Sequence, residues 1–249
     1  MAAPFTAKTK LPPETEVYNP YSLFSLFIPP EMFATISLNT NRYAETKGAG
    51  PKSACPWHTT TTGEIKVFVG ILVYMGVHNS HGIKNYWKTD LPGHNLGRFM
   101  GLNRLYQIKR YFHVSDPDPD FYDPAIEDDE DLREDQIWWH KVNPLAARFR
   151  TTCKQYWDPS STLSIDEAMI RCFGRSVHTY KMPNKLIKQG YKLYSICDSG
   201  YTLYWVWASR AKSLVQVKKL QDLTKTGSMV LRLVTEALPP KKKHIQHLS

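Results

Sequence analysis

Ser164-Ile165-Asp166-Glu167, Tyr191-Lys192-Leu193-Tyr194-Ser195-Ile196-Cys197, Asp198-Ser199-Gly200 and Tyr201-Thr202-Leu203-Tyr204-Trp205-Val206-Trp207 decide how this chain folds. The two long runs are rich in aromatic and β-branched residues, which suit a pleated, half-buried surface. The Asp-Ser-Gly between them is turn chemistry, so they read as a hairpin. Thr162 to Ile165 is a shorter β-type run that places Asp166 at a strand end. Downstream, Ser213 to Leu223 and Ser228 to Leu238 have helical patterning, and Pro239-Pro240 closes the second helix.

Upstream of Ser161 the pattern is helical. Leu23 to Phe27, Pro29-Pro30 and Glu31 to Tyr43 read as a short helix, a break and a second helix, and Lys47 to Thr62 as loop. Thr61 stands three residues before Glu64, a capping-box spacing. It introduces Ile65, Phe68, Val69, Leu72 and Val73, a core-facing stripe. Leu102, Leu105, Ile108 and Phe112 form another, with Arg104, Lys109 and Arg110 on other faces, where they are solvated or touch phosphates. Trp138, Val142, Leu145, Phe149, Cys153 and Tyr156 mark a long amphipathic helix that Pro144 either kinks or starts. The resulting class is α+β, with a flexible lead-in (1–20), a helical domain (21–160) and a strand-strand-strand-helix domain (161–249).

Charge divides the chain differently. The net charge is +9, yet Asp116 to Asp135 holds eleven acids and a single base, Arg133. The rest carries 31 bases against 12 acids, an excess that points to a polyanion such as nucleic acid. Prolines at 117, 119 and 124 deny the acidic loop (116–135) regular structure, and it lacks the residue order of a calcium loop. It reads as a linker, or as a segment that folds back on a basic surface. The longest apolar run, Val67 to Val77, is too short to span a bilayer, so no membrane partner is expected. Four dispersed cysteines suggest free thiols in a reducing compartment.

One ordered series of motifs surrounds the first strand. It runs Ser164-Ile165-Asp166-Glu167-Ala168-Met169-Ile170, Gly174-Arg175-Ser176, Tyr180-Lys181-Met182-Pro183-Asn184-Lys185, Gly190-Tyr191-Lys192 and Cys197-Asp198-Ser199-Gly200-Tyr201. Val67 to Gly76, Tyr86-Trp87 and Leu105 to Asp116 precede it. Together these resemble the piggyBac family of transposases and their domesticated relatives, over roughly residues 20–240. Leu186, where family members often carry proline, and Arg171-Cys172-Phe173 before the Gly-Arg depart from the pattern.

The resemblance implies a ribonuclease-H-like domain, here incomplete, with its first three strands and a helix. In full-length relatives three carboxylates hold two Mg²⁺ ions, which sit about 3.5–4 Å apart in such sites and take oxygen ligands. Asp166 matches the first carboxylate and is the candidate catalytic and metal-binding residue. The second and third are expected beyond the end of this sequence, so no cofactor is expected here. Among other acids, Glu167 points to the opposite strand face, Asp198 suits a turn, and Asp222 and Glu236 fall on expected helices.

DNA contact does not need those carboxylates. Arg171, Arg175, Lys181, Lys185, Lys188 and Lys192, interleaved with Tyr180 and Tyr191, suit phosphate and sugar contacts. The plainer reading makes the tyrosines core and the lysines a solvated sheet edge. Lys241-Lys242-Lys243 suits a nuclear import signal or a phosphate contact, giving a nuclear expectation with the cytoplasm as the other choice. The leading function is a truncated piggyBac-derived protein that binds DNA without cutting it. The alternatives are an active transposase represented by part of its chain, and an interaction module that pairs with a full-length relative or as a homodimer.

Overall fold

The computed structural model describes residues 6–52, 56–88, 94–118, 139–209 and 222–238. The helices are α1 (Pro20–Phe27), α2 (Pro30–Thr46), α3 (Thr62–Val77), α4 (Leu102–Tyr111), α5 (Asn143–Tyr156) and α6 (Lys225–Ala237). The strands are β1 (Lys8–Thr9), β2 (Trp157–Asp158), β3 (Ser164–Arg171), β4 (Tyr180–Lys181), β5 (Gln189–Asp198) and β6 (Tyr201–Ala208). None of these helices is long and apolar enough to cross a membrane. Two compact units form: one within Phe24–Tyr122 and Lys141–Pro144, the other within Met1–Leu23, Asp123–His140 and Leu145–Ser249.

In the helical unit, α2 opens on Pro30, at a position whose N–H has no helical partner to lose. It packs on α3 and α4. α3 opens with half of the expected capping box. Thr61 Oγ1 accepts the Glu64 amide at 3.2 Å, but the Glu64 carboxylate turns to Arg104 and to the Thr60 hydroxyl. Its buried line is Ile65, Phe68 and Ile71, whereas Leu72 and Val73, expected in the core, are 41% and 50% exposed. α3 is apolar on every side, so periodicity alone offers competing stripes. In α4 the buried residues are Leu105, Ile108 and Tyr111. Phe112 follows as the helix cap, its ring 5.1 Å from Phe68.

Arg104 corrects another expectation. It does not sit on a solvated face: Nε and Nη2 donate to the Glu64 carboxylate, each at 2.7 Å, and Nη2 also donates to the His58 carbonyl at 3.0 Å. The guanidinium stacks 5.0 Å over the Trp57 ring, and its hydrogen bonds hold the Glu64 carboxyl below the usual range. At the edge of the acidic stretch, Asp116 accepts from Arg42 at 2.6 Å. Most of that stretch, 119–135, lies outside the described residues.

Pro144 starts α5 rather than kinking it. Trp138 lies outside the described residues, and Val142 is 43% exposed in the preceding 3-10 turn. The sequence reading groups α5 with residues 21–160, yet from Leu145 onward it belongs to the sheet unit. Tyr201 donates to the Cys153 carbonyl at 3.1 Å, Lys154 donates to the Glu236 carbonyl at 3.0 Å, and Arg150 and Lys154 both lie over the Tyr204 ring. The helix expected over 213–223 falls almost wholly outside the described residues. α6 begins at Lys225, capped by Thr224 Oγ1, which accepts the Gly227 amide at 3.1 Å.

β5 is the central strand, with β3 antiparallel on one side and β6 antiparallel on the other. β4 adds a short ladder at Gln189 and Gly190, beyond the point where β6 ends. The hairpin turn has Ser199 at φ 50° and Gly200 at φ 87°, the left-handed pair of a tight two-residue hairpin. β3 is longer than expected, pairing from Ser164↔Cys197 to Arg171↔Gly190. Asp166 is therefore its third residue, not its end. One sheet face carries Ile165, Tyr194, Ile196, Tyr204 and Val206, which pack with Met229, Leu233 and Ala237 of α6.

Candidate functional site

Alternation along β3 sends Asp166 to the face away from α6. It is exposed, and its Oδ1 accepts the Glu167 amide at 2.7 Å. Across the sheet Asp166 pairs with Ser195, which pairs with Trp205; one row on, Ala168, Leu193 and Trp207 line up. Ser195 is buried and donates to the Asp166 carbonyl at 3.4 Å. This hydroxyl and indole row was invisible to sequence reasoning, because only the strand register brings residues 166, 195 and 205 together.

Glu167, on the opposite face, is committed to the protein. Its carboxylate pairs with Lys192 and, at 3.2 Å, with Lys185. Lys192 donates the hydrogen bond that chiefly holds the Glu167 carboxyl low. Burial pulls the Lys192 amine down, but Glu167 and Tyr194 outweigh it and raise it. The same amine lies 4.7 Å over the Tyr194 ring and 5.7 Å over Tyr180, with the side chain 12% exposed.

The other expected DNA-contacting bases stand apart from that pair. Arg171 ends β3, Lys181 ends β4, and Arg175 and Lys188 flank β4 in the excursion from β3 to β5; all four are exposed. Phe173, Val177 and Leu186 on this excursion are 77%, 71% and 95% exposed. Between Arg171 and Lys188 there is no acid. Tyr180 and Tyr191 are half-buried members of the sheet.

Asp198, expected in the turn, is the last residue of β5 and 1% exposed. Its carboxylate accepts from the Ser160 amide at 2.6 Å, the Ser160 hydroxyl at 3.0 Å, the Trp157 indole at 3.1 Å and the Ser199 hydroxyl at 3.1 Å. These bonds consume its lone pairs, so it is a structural node. Asp222 lies in a turn before α6, and Glu236 is exposed on α6. The described residues contain no group of three or more His, Cys, Asp and Glu able to hold a metal. Asp166 alone does not supply the ligands of a two-metal site, so the described residues by themselves do not fit that pair of ions.

A family model described as Transposase IS4 matches residues 19–246. The chain belongs to the piggyBac-type transposase family. Human piggyBac transposable element-derived protein 2 is 25% identical over 223 residues, covering 89% of this chain and 34% of that protein. Human piggyBac transposable element-derived protein 3 is 24% identical over 245 residues, covering 95% of this chain and 37% of that protein. Thus this piggyBac-type chain spans about a third of the length of those curated relatives. A cryo-EM structure of a piggyBac transposase synaptic complex with hairpin DNA shares the fold, with a TM-score of 0.69 at 24% identity. The likeness covers 89% of this chain and 44% of that one.

Proposed function

We propose that this piggyBac-type chain binds DNA through the base-rich excursion between β3 and β5 and, as it stands, does not cut it. The observation that carries the reading is the exposed, acid-free set of Arg171, Arg175, Lys181 and Lys188 beside the β3–β5 ladder. Phosphodiester chains are bound by such cations, and counterion release makes the binding salt-sensitive. The neighbouring transposase structure, a complex with hairpin DNA, supports the same partner. On this reading the sheet is the start of a ribonuclease-H-like domain and Asp166 is its first carboxylate, awaiting partners that the described residues do not provide. Nuclear residence follows from the same partner.

The test is fluorescence anisotropy with duplex DNA across a salt series, with Mg²⁺ present and the products run on a denaturing gel. Affinity is expected to fall with a log–log slope of roughly −0.9 per phosphate contact while the DNA stays intact. Salt-insensitive binding would overturn the DNA reading. Mg²⁺-dependent nicking lost in Asp166→Ala would overturn the non-cutting reading. Asp166→Ala itself should shift stability by no more than about 0.5 kcal/mol, because the carboxylate is exposed and, among the described residues, bonds to the adjacent amide alone. Thermal unfolding checks that; a large drop would show Asp166 holding the sheet together.

A further inference from the structure

The C-terminal end of α3 brings two histidines together around two tyrosines. His78 is the residue that closes the helix, and His94 arrives from further along the chain, with their ring centres 6.3 Å apart. Tyr74 organises both. Its hydroxyl meets His94 Nδ1 at 2.9 Å, and its ring lies against His78 with centres 4.4 Å apart. Tyr86 backs the pair: its ring centre is 4.9 Å from that of His94. Its hydroxyl accepts the Ser80 amide at 2.8 Å and donates to the His78 carbonyl. All four residues belong to the helical unit.

Packing explains the tyrosines better than the imidazoles. Tyr86 is buried, whereas His78 is exposed and His94 half-buried, and neither ring joins an ion pair among the described residues. No charged residue occurs between Lys66 and Lys84. The last carbonyls of α3 place partial negative charge where His78 stands, which favours a cation there. When His94 donates from Nδ1 to the Tyr74 hydroxyl, its Nε2 lone pair is left to bind. A hydrogen bond on the far nitrogen is how proteins fix a metal-ligating imidazole. Zn–N bonds of about 2.0–2.1 Å set two such ring centres roughly 5–6 Å apart on one ion. A small rotation of the exposed His78 side chain closes the remaining distance.

We propose that His78 and His94 form a site for a borderline divalent transition ion such as Zn²⁺, which ties the end of α3 to the segment before α4. The described residues bring no third ligand, so solvent completes the coordination. Imidazole suits Zn²⁺, Ni²⁺ and Cu²⁺ rather than Mg²⁺, which separates this site from carboxylate chemistry at Asp166. The test is calorimetric titration of the full, chelator-stripped chain with Zn²⁺ in excess Mg²⁺. The parent should take up one Zn²⁺ per chain and unfold at a higher temperature with it bound. His78→Ala and His94→Gln should each lose that uptake and that shift. His78 is exposed, so its alanine variant should unfold with the parent when metal-free. Tyr74→Phe should keep the stoichiometry but bind roughly tenfold more weakly, because His94 loses the hydroxyl that orients it. His58→Ala removes an exposed histidine outside the cluster and should bind as the parent does. A parent that takes up no Zn²⁺, or His78→Ala and His94→Gln chains that bind as tightly as the parent, would overturn the site. So would an equal loss in His58→Ala, the mark of ions scattered over surface histidines.

Discussion

Gly190→Ala is expected to destabilise the sheet unit by about 3–5 kcal/mol, at the upper end of what single substitutions do. Gly190 is buried where β5 meets both neighbours, opposite Arg171 of β3 and Tyr180 of β4. A Cβ there would run into the Ile170 carbonyl oxygen, and would lie 2.7 Å from the Ile170 carbonyl carbon and 3.0 Å from the Arg171 Cα. All three atoms are backbone, so no side chain can swing away. The strands must part, which breaks the ladder that anchors the excursion carrying Arg175, Lys181 and Lys188. Urea unfolding is the direct measurement, with DNA affinity falling alongside stability. Gly200→Ala is the control. It strains a φ of 87° but meets nothing within 4 Å, so it should cost only about 1 kcal/mol. A Gly190→Ala chain as stable as its parent would show that β3 and β5 do not approach as closely as described.

Local chemistry made much of this fold legible in the sequence. The hairpin from β5 to β6 follows from its aromatic and β-branched runs and from a turn that tolerates left-handed backbone at Ser199 and Gly200. The start of α3 follows from Thr61. What failed depended on a choice between equivalent local solutions. Glu167-Ala168-Met169 has no strong strand preference, so β3 extends because β5 offers a continuous partner to Gly190. α3 has apolar residues on every side, and only packing selects Ile71 over Leu72.

The site was legible to a lesser degree, because its decisive pairings cross long stretches of chain. Arg104 and Glu64 lie 40 residues apart, and Trp157 and Asp198 lie 41 apart. No periodicity signals such a pair. The basic residues illustrate the consequence: as a string, Lys185, Lys188 and Lys192 look alike. In the fold, Lys192 is sandwiched between tyrosines and bound to Glu167, Lys185 shares that carboxylate, and Lys188 is exposed. A salt-sensitive DNA contact is therefore expected from Lys188 before Lys192, although both carry one charge.

Asp198→Ala should cost about 3 kcal/mol, because it removes a buried carboxylate that accepts four hydrogen bonds and strands the half-buried donors of Trp157 and Ser160 at once. The carboxylate ties the end of the β5–β6 hairpin to Trp157 of β2 and to Ser160 in the connection leading to β3. Trp157 also stacks on Tyr201 with ring centres 4.6 Å apart, so its indole cannot turn to another acceptor without giving up that contact. Burial would push the Asp198 carboxyl up, but the Ser160 amide, the Trp157 indole and the Ser160 and Ser199 hydroxyls outweigh it and hold the group below its ordinary range. A depressed folded value means the stabilisation is complete above the unfolded aspartate pKa of about 3.9 and drains away as the pH falls through the folded one. Asp198→Asn keeps the volume but removes the charge and leaves an amide where the site offers mainly donors. It should recover only part of the loss, and the acid-side fall in its stability should be shallower than the parent's below about pH 4. Urea unfolding at pH 7 and across the acid range measures both effects. An asparagine variant with the parent's stability and acid profile would mean that the ionised carboxylate is not what holds these strands together.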